Sequence, residues 1–216
     1  VAQNRDNIVF PFRRYQMQNV WRADRPQRGR YREFFQCDAD VIGTESLLCE
    51  VELIQIYDEV FSSLKIPNID IRLNNRKVLS GMVELMGELE LFNTIVVTLD
   101  KLDNIGLDRV KKELLSKGVN SKSLPILETF LNAKSITDLS SLLKKTEIGS
   151  IGLDELNFVI DNISKLGLRS TNLVFDLSLA RGLDYYTGCS LEVKVNDVKI
   201  GSVGGGGRYD ELTSNF

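Results

Sequence analysis

The stretch TESLLCEVELIQIYDEVFSSL places apolar residues at 47, 51, 54, 57, 61 and 64. That three-and-four spacing predicts a helix packed by one face on a sheet, with Thr44 as its N-cap. Upstream the pattern differs. FPFRRYQMQNVWRA mixes aromatic and β-branched residues with polar ones and predicts a strand over about 12–23. RPQRGR supplies the proline and glycine of a turn or mobile loop, and REFFQCDADVIG alternates as a returning strand. Together these make a long antiparallel hairpin with an arginine-rich tip. IDIRLNN (69–75) predicts another strand and RKVLSGMVELMG a short helix.

From about 103 to 165 the period becomes helical, aromatics fall to Phe130 and Phe158, and acids and bases balance. Glycines 106, 118, 149, 152 and 167 punctuate this stretch, which predicts a small helical insertion. Strand character returns over 173–195 with a kink at RGLD. VKIGSVGGGGRYDEL then predicts one more strand, a glycine floor and a helix start. The expected fold is α+β, an antiparallel sheet flanked by helices. Its division is a first core part at 1–102, the helical insertion at 103–165 and a second core part at 166–216.

Composition narrows the chemistry. With 216 residues, 43% hydrophobic and 26% charged, the chain is an ordinary globular sequence. It has no run of the roughly 18–20 apolar residues that a membrane span needs, so no membrane association is expected, and no signal peptide is visible. It starts at Val1 without a methionine and ends soon after the glycine cluster, which sets the expectation of a piece of a longer protein, one that need not be active alone. Three cysteines without metal-ligand spacing suit free thiols and a reducing compartment, the cytoplasm. There is no histidine, which excludes histidine triads, zinc–histidine sites and imidazole acid–base chemistry.

Charge is concentrated. Residues 13–32 hold seven arginines against one acid, Asp24, on a chain whose net charge is −3. A cationic spot on an acidic body points to a local anion site. Trp21, Tyr31, Phe34 and Phe35 stand among the arginines. Guanidinium forks suit phosphate oxygens, and a flat ring beside them suits a purine. The polar run that follows suits a small, partly cationic group at the other end of such a substrate. Asp38 and Asp40 alone are a weak metal signal, so no protein metal site is assigned. GGGG at 204–207 permits close backbone approach but lacks the P-loop pattern.

Three stretches in order, WRADRPQRGRYREFFQCDADVIG, LARGLDYYTG and GGGGRYDEL, closely resemble the catalytic core of the histidyl-tRNA synthetase family, within class II of the aminoacyl-tRNA synthetases. The first is similar to the class motif 2, the second to the histidine-specific arginine–tyrosine motif, the third to the floor of the histidine pocket. The resemblance implies histidine–tRNA ligase activity with ATP and Mg2+, the partners L-histidine and tRNA(His), and a homodimer. By the same resemblance Arg22 contacts the α-phosphate and the amino-acid carboxylate, and Arg181 faces it from the other side. These two are the implied catalytic residues. Asp24 meets the adenine amino group, Phe34 stacks on adenine, and Arg30 reaches toward the outer phosphates and the tRNA end. Gln36 holds the α-amino group and Asp40 the imidazole. Tyr185 and Tyr186 complete the histidine pocket over Gly205, Gly206 and Gly207. Asp40 stands where many members carry Glu, so its contact is about one methylene shorter. The competing readings are the histidine-binding regulatory paralogue of histidine biosynthesis, and a non-catalytic RNA-binding module using the basic hairpin.

Overall fold

In the computed structural model the described residues are the whole chain except 24, 134, 181–184 and 212–216, together with the Ala2 side chain. The predicted hairpin is present: β1 (Phe12–Trp21) pairs antiparallel with β2 (Glu33–Ile42), Phe12 opposite Ile42 and Trp21 opposite Glu33. Its tip is a tight turn in which Gln27 and Arg30 exchange backbone hydrogen bonds of 3.1 and 2.8 Å, with Gly29 at φ 77. Only glycine takes that conformation without steric cost.

Helix α1 (Leu48–Ser63) buries Val51, Ile54 and Phe61, the middle of the predicted apolar stripe. Its start differs from expectation. Leu47 is the N-cap and makes no side-chain cap bond. Thr44 instead accepts the Ser46 N–H at 3.2 Å, and Ser46 accepts that of Leu48 at 3.3 Å. The two hydroxyls thus relay the chain into the helix over two short turns, one step earlier than a cap would act.

Strand β3 (Ile69–Asn75) is the spine of the main sheet, with Ile69, Ile71 and Leu73 fully buried. Asn75 then N-caps α2 (Arg76–Met86) by accepting the Lys77 N–H at 2.8 Å. Helices α3 (Phe92–Leu99), α4 (Leu102–Ile105), α5 (Leu107–Ser116), α6 (Leu124–Leu131), α7 (Ile136–Leu143) and α8 (Glu147–Leu166) follow. The chain returns as β4 (Thr171–Phe175), β5 (Cys189–Val195) and β6 (Gly204–Gly207). The sheet order is β4-β3-β5-β6. The class is α+β, and the sheet is mixed: β4 runs parallel to β3, whereas β5 and β6 pair antiparallel.

Three local readings are corrected. The stretch 173–195 is not one kinked strand. Asp176 ends β4 by accepting both the Ser178 N–H (2.9 Å) and its hydroxyl (2.6 Å), which turns the chain out of the sheet. The strand expected after it, β6, is the glycine run itself, not the VKIGSV that precedes it. Nor do Gly149 and Gly152 punctuate anything. Both lie inside α8, a single 20-residue helix, and bring it against α2. A Cβ on Gly81 of α2 would sit 2.5 Å from the Gly149 Cα, and one on Gly152 would sit 2.7 Å from the Val78 nitrogen. The helices therefore touch by backbone, and α8, α6 and α7 share one continuous hydrophobic core with α2 and β3.

We expect Gly81→Ala to lose about 1–3 kcal/mol of stability through overpacking, despite the gain in helix propensity. Denaturant midpoints at constant m-value measure it, and an unchanged midpoint means that the helices part freely.

One carboxylate fastens α1 to the start of β4. Asp58 is 4% exposed. It accepts backbone N–H groups of Arg169 (2.7 Å), Ser170 (3.1 Å) and Thr171 (3.0 Å), and the Thr171 hydroxyl at 2.8 Å. Burial alone would raise its pKa, but these four donors outweigh burial and hold it below the ordinary value. A depressed native pKa gives stability that is complete above the unfolded-state value and is lost as pH falls through the native one. Asp58→Asn is therefore expected to cost about 1–3 kcal/mol near pH 7, with the gap to the wild type closing as the solution is acidified toward pH 3. A gap that is constant with pH would mean that packing, not charge, is lost.

Candidate active site

Alternation sorts the hairpin into two faces. The inner face pairs Arg14 with Asp40, Gln16 with Asp38, Gln18 with Gln36 and Val20 with Phe34. Just beyond β1, the Arg22 N–H donates to the Arg32 carbonyl at 2.9 Å, which carries the register one pair further. Three sequence-predicted residues thereby come together. The Arg22 guanidinium lies 5.2 Å from the centre of the Phe34 ring, and its Nη2 donates to Gln36 Oε1 at 2.6 Å.

Gln36 passes the chain of bonds on, donating through Nε2 to Asp38 Oδ1 at 2.6 Å. Asp40 sits at the far end, held by Arg14 Nη1 at 2.7 Å, with both side chains about a third exposed or less. Arg14 also donates to Gln16. The inner face thus runs from a cation over a ring, through an amide, to two carboxylates. An extended ligand that is anionic at one end and cationic at the other matches this order.

At the hairpin tip Arg30 is exposed. A Cβ on Gly201 would stand 3.9 Å from the Arg30 Nε, and one on Gly29 would stand 3.6 Å from Ile200, so the tip lies over the turn that leads to β6.

An aromatic cluster stands against the glycine strand. Tyr185 and Tyr186 meet edge to face with ring centres 4.5 Å apart, and Tyr209 stands 6.0 Å from each. Burial, then the neighbouring phenols Tyr185 and Tyr209, push the Tyr186 hydroxyl far above the ordinary range, so it remains a proton donor. The Tyr209 hydroxyl is raised by burial first and by the charge of Asp40 next, with Tyr185 and Asp38 contributing.

The glycines serve close approach. A Cβ on Gly207 would meet the Cys189 carbonyl at 2.8 Å and the Tyr186 ring at 2.9 Å, while the corresponding space at Gly206 is open. Arg181 and Asp24 lie outside the described residues. Two surface hollows of about 280 and 330 Å3, one beside Phe175 and Asp176 and one beside Asp58 and Arg169, lie away from this face.

Sequence reasoning passed over Arg14 and Tyr209 as individual site residues. The cross-strand register places Arg14 opposite Asp40, but Tyr209 reaches the site only through tertiary folding.

Comparison with known proteins identifies the family. The family model described as histidyl-tRNA synthetase matches residues 1–216. The chain belongs to the histidyl-tRNA synthetase family. It is 51% identical to the histidine–tRNA ligase of Flavobacterium johnsoniae, aligning over 100% of this chain and 47% of that protein. It is 50% identical to the enzyme of Bacteroides fragilis, over 100% of this chain and 48% of that protein. The chain thus spans about half the length of the curated relatives it matches. Among solved structures, the histidyl-tRNA synthetase from Nostoc sp. PCC 7120 superposes with a TM-score of 0.88 at 34% identity, covering 98% of this chain and 50% of that one. A protein from Bacillus halodurans C described as an ATP phosphoribosyltransferase regulatory subunit/histidyl-tRNA synthetase shares the fold, with a TM-score of 0.83 at 21% identity.

Proposed function

We propose that the protein containing this chain is a histidine–tRNA ligase. It would activate L-histidine with ATP to histidyl-adenylate and transfer histidine to the 3′ end of tRNA(His). The observation that carries this reading is the inner face of the hairpin, where Arg22 over Phe34 leads through Gln36 to Asp38, with Asp40 next on the same face. Family membership and about 50% identity to ligases support it.

In this reading an oxygen of the histidine carboxylate bonds to the α-phosphorus as the bond to pyrophosphate breaks. Charge builds on the equatorial oxygens, and Arg22 and Arg181 on opposite sides neutralise it without proton transfer. A chain without histidine suits such chemistry, because positioning and electrostatics suffice. Asp24 and Phe34 take the adenine, and Arg30 the outer phosphates and the tRNA end. Gln36 takes the α-amino group. Asp40 with Tyr185 or Tyr186 takes the imidazole over Gly205, Gly206 and Gly207. Mg2+ travels with ATP on its phosphates. We also propose the division into core parts 1–102 and 166–216 with the insertion 103–165, whose evenly balanced charge suits modest, local contact with the tRNA acceptor arm. A homodimer in the cytoplasm completes the reading, the compartment where ATP, histidine and tRNA meet.

Histidine-dependent exchange of pyrophosphate into ATP by the full-length protein is the direct test, with other amino acids as controls. Its absence in folded protein that still binds histidine would indicate a regulatory histidine-binding role instead.

A further inference from the structure

We propose that Glu50 and Tyr57 of α1 are positioning residues for the amino-acid pocket, acting through the glycine strand β6. The proposal rests on reading that pocket as the histidine site. The two residues are seven apart, two helical turns, and so share one face of α1. Glu50 grips Arg208 with both oxygens, Nε to Oε1 at 2.6 Å and Nη2 to Oε2 at 2.9 Å. The Arg208 and Glu50 side chains are only 11% and 7% exposed. The same guanidinium donates to the Ser46 carbonyl at 3.0 Å, so it is tied to the start of the helix as well.

Tyr57 holds the other end of β6. Its hydroxyl accepts the Gly205 N–H and donates to the Gly205 carbonyl, both at 3.0 Å. Within the described residues β6 is the edge of its sheet, so this single phenol occupies a donor and an acceptor that a further strand would otherwise take. Its ring fills the space beside Gly204, where a Cβ would lie 2.7 Å from it.

Between the two clamps lie Gly206 and Gly207, and Tyr186 rests on Gly207. Arg208 also carries the restraint onward. Its carbonyl accepts the Thr187 N–H at 2.8 Å, and Thr187 exchanges hydrogen bonds with Asp210 at 2.6 and 3.1 Å. The residue next to Tyr186 is therefore pinned to the residue next to Gly207. A displaced β6 would move both the ring and the floor beneath it. A buried ion pair contributes little net stability against an apolar replacement, yet breaking it strands a charge. What such a pair supplies here is a fixed distance between α1 and the pocket floor.

The test uses the full-length ligase containing this chain, with Tyr57→Phe, Glu50→Gln and the conservative Glu50→Asp, in histidine-dependent pyrophosphate exchange. The Michaelis constant for histidine should rise about tenfold or more in Tyr57→Phe and Glu50→Gln, with that for ATP changing less than twofold. Glu50→Asp should recover part of the loss. Unchanged histidine constants in folded variants would overturn the proposal. So would a fall in kcat alone, proportional to lost folded enzyme, since that marks a purely structural role. Should Glu50→Gln not fold because Arg208 is left unpaired, Tyr57→Phe decides the question, as it removes one oxygen and keeps the ring. A wild-type enzyme without histidine-dependent exchange would instead remove the functional reading itself, before any variant is compared.

Discussion

Arg22→Ala is expected to lower kcat for adenylate formation by roughly 10²–10³-fold, the usual cost of removing a preorganised electrostatic donor. The reason lies in the timing of charge. A carboxylate approaching a phosphate brings two anions together, and the negative charge on the equatorial oxygens is greatest at the transition state. A guanidinium held against that point stabilises the transition state more than the ground state, so kcat falls further than substrate affinity. Arg22 is held by two features of the hairpin, the Phe34 ring at 5.2 Å and the Gln36 side-chain Oε1 at 2.6 Å. Arg22→Lys should recover little, because an ammonium cannot keep the planar fork over the ring. Single-turnover adenylate formation and equilibrium histidine binding separate the two contributions. A variant with a raised Michaelis constant and normal kcat would reassign Arg22 to ground-state binding.

What could be read from the sequence follows the range of the interaction. Within the hairpin, partners lie a few residues from the turn, and alternation alone puts Phe34, Gln36 and Asp40 on one face. Helix α1 was legible because its stripe repeats over four turns. The glycines of α8 were not, since a glycine that ends a helix and one that admits a neighbouring helix look alike until Gly81 is placed opposite. The split between β4 and β5 depends on Asp176 taking two local hydrogen bonds, an Asx-type turn hidden in an apolar run. Parallel pairing of β3 with β4 joins residues about a hundred positions apart, across the seven α-helices α2 to α8. The same distance hid the supports of the site. Glu50 meets Arg208 across 158 residues and Tyr57 meets Gly205 across 148. Neither has a local signal beyond its place on one helix face. Tyr209, although inside a recognised motif, meets Tyr185 and Tyr186 only once the chain is folded.

Asp40→Asn is expected to weaken histidine binding by about 1.5–3 kcal/mol, typical of a hydrogen bond to a charged group, or roughly ten- to a hundredfold and more in affinity. A neutral imidazole has one donor and one acceptor. A carboxylate accepts from the donor, and a phenol whose pKa is raised well above ten, as for Tyr186, is available to donate to the acceptor. An amide in place of the carboxylate loses the charge and turns one acceptor into a donor. The pairing with Arg14 complicates the result, because Arg14 Nη1 donates to Asp40 at 2.7 Å and would face a neutral amide in place of the charge. Arg14→Met resolves the two effects. If Asp40 matters by touching the ligand, removing Arg14 costs clearly less than removing the carboxylate. If Asp40 matters only by neutralising Arg14, Arg14→Met is harmless and the double variant recovers histidine affinity. ATP affinity should change less than twofold in every case, since Arg22 and Phe34 lie at the other end of the hairpin face from Asp40. Separate calorimetric titrations of the full-length protein with each ligand measure this. Unchanged histidine affinity in Asp40→Asn would make Asp40 a structural partner of Arg14 and move the pocket elsewhere.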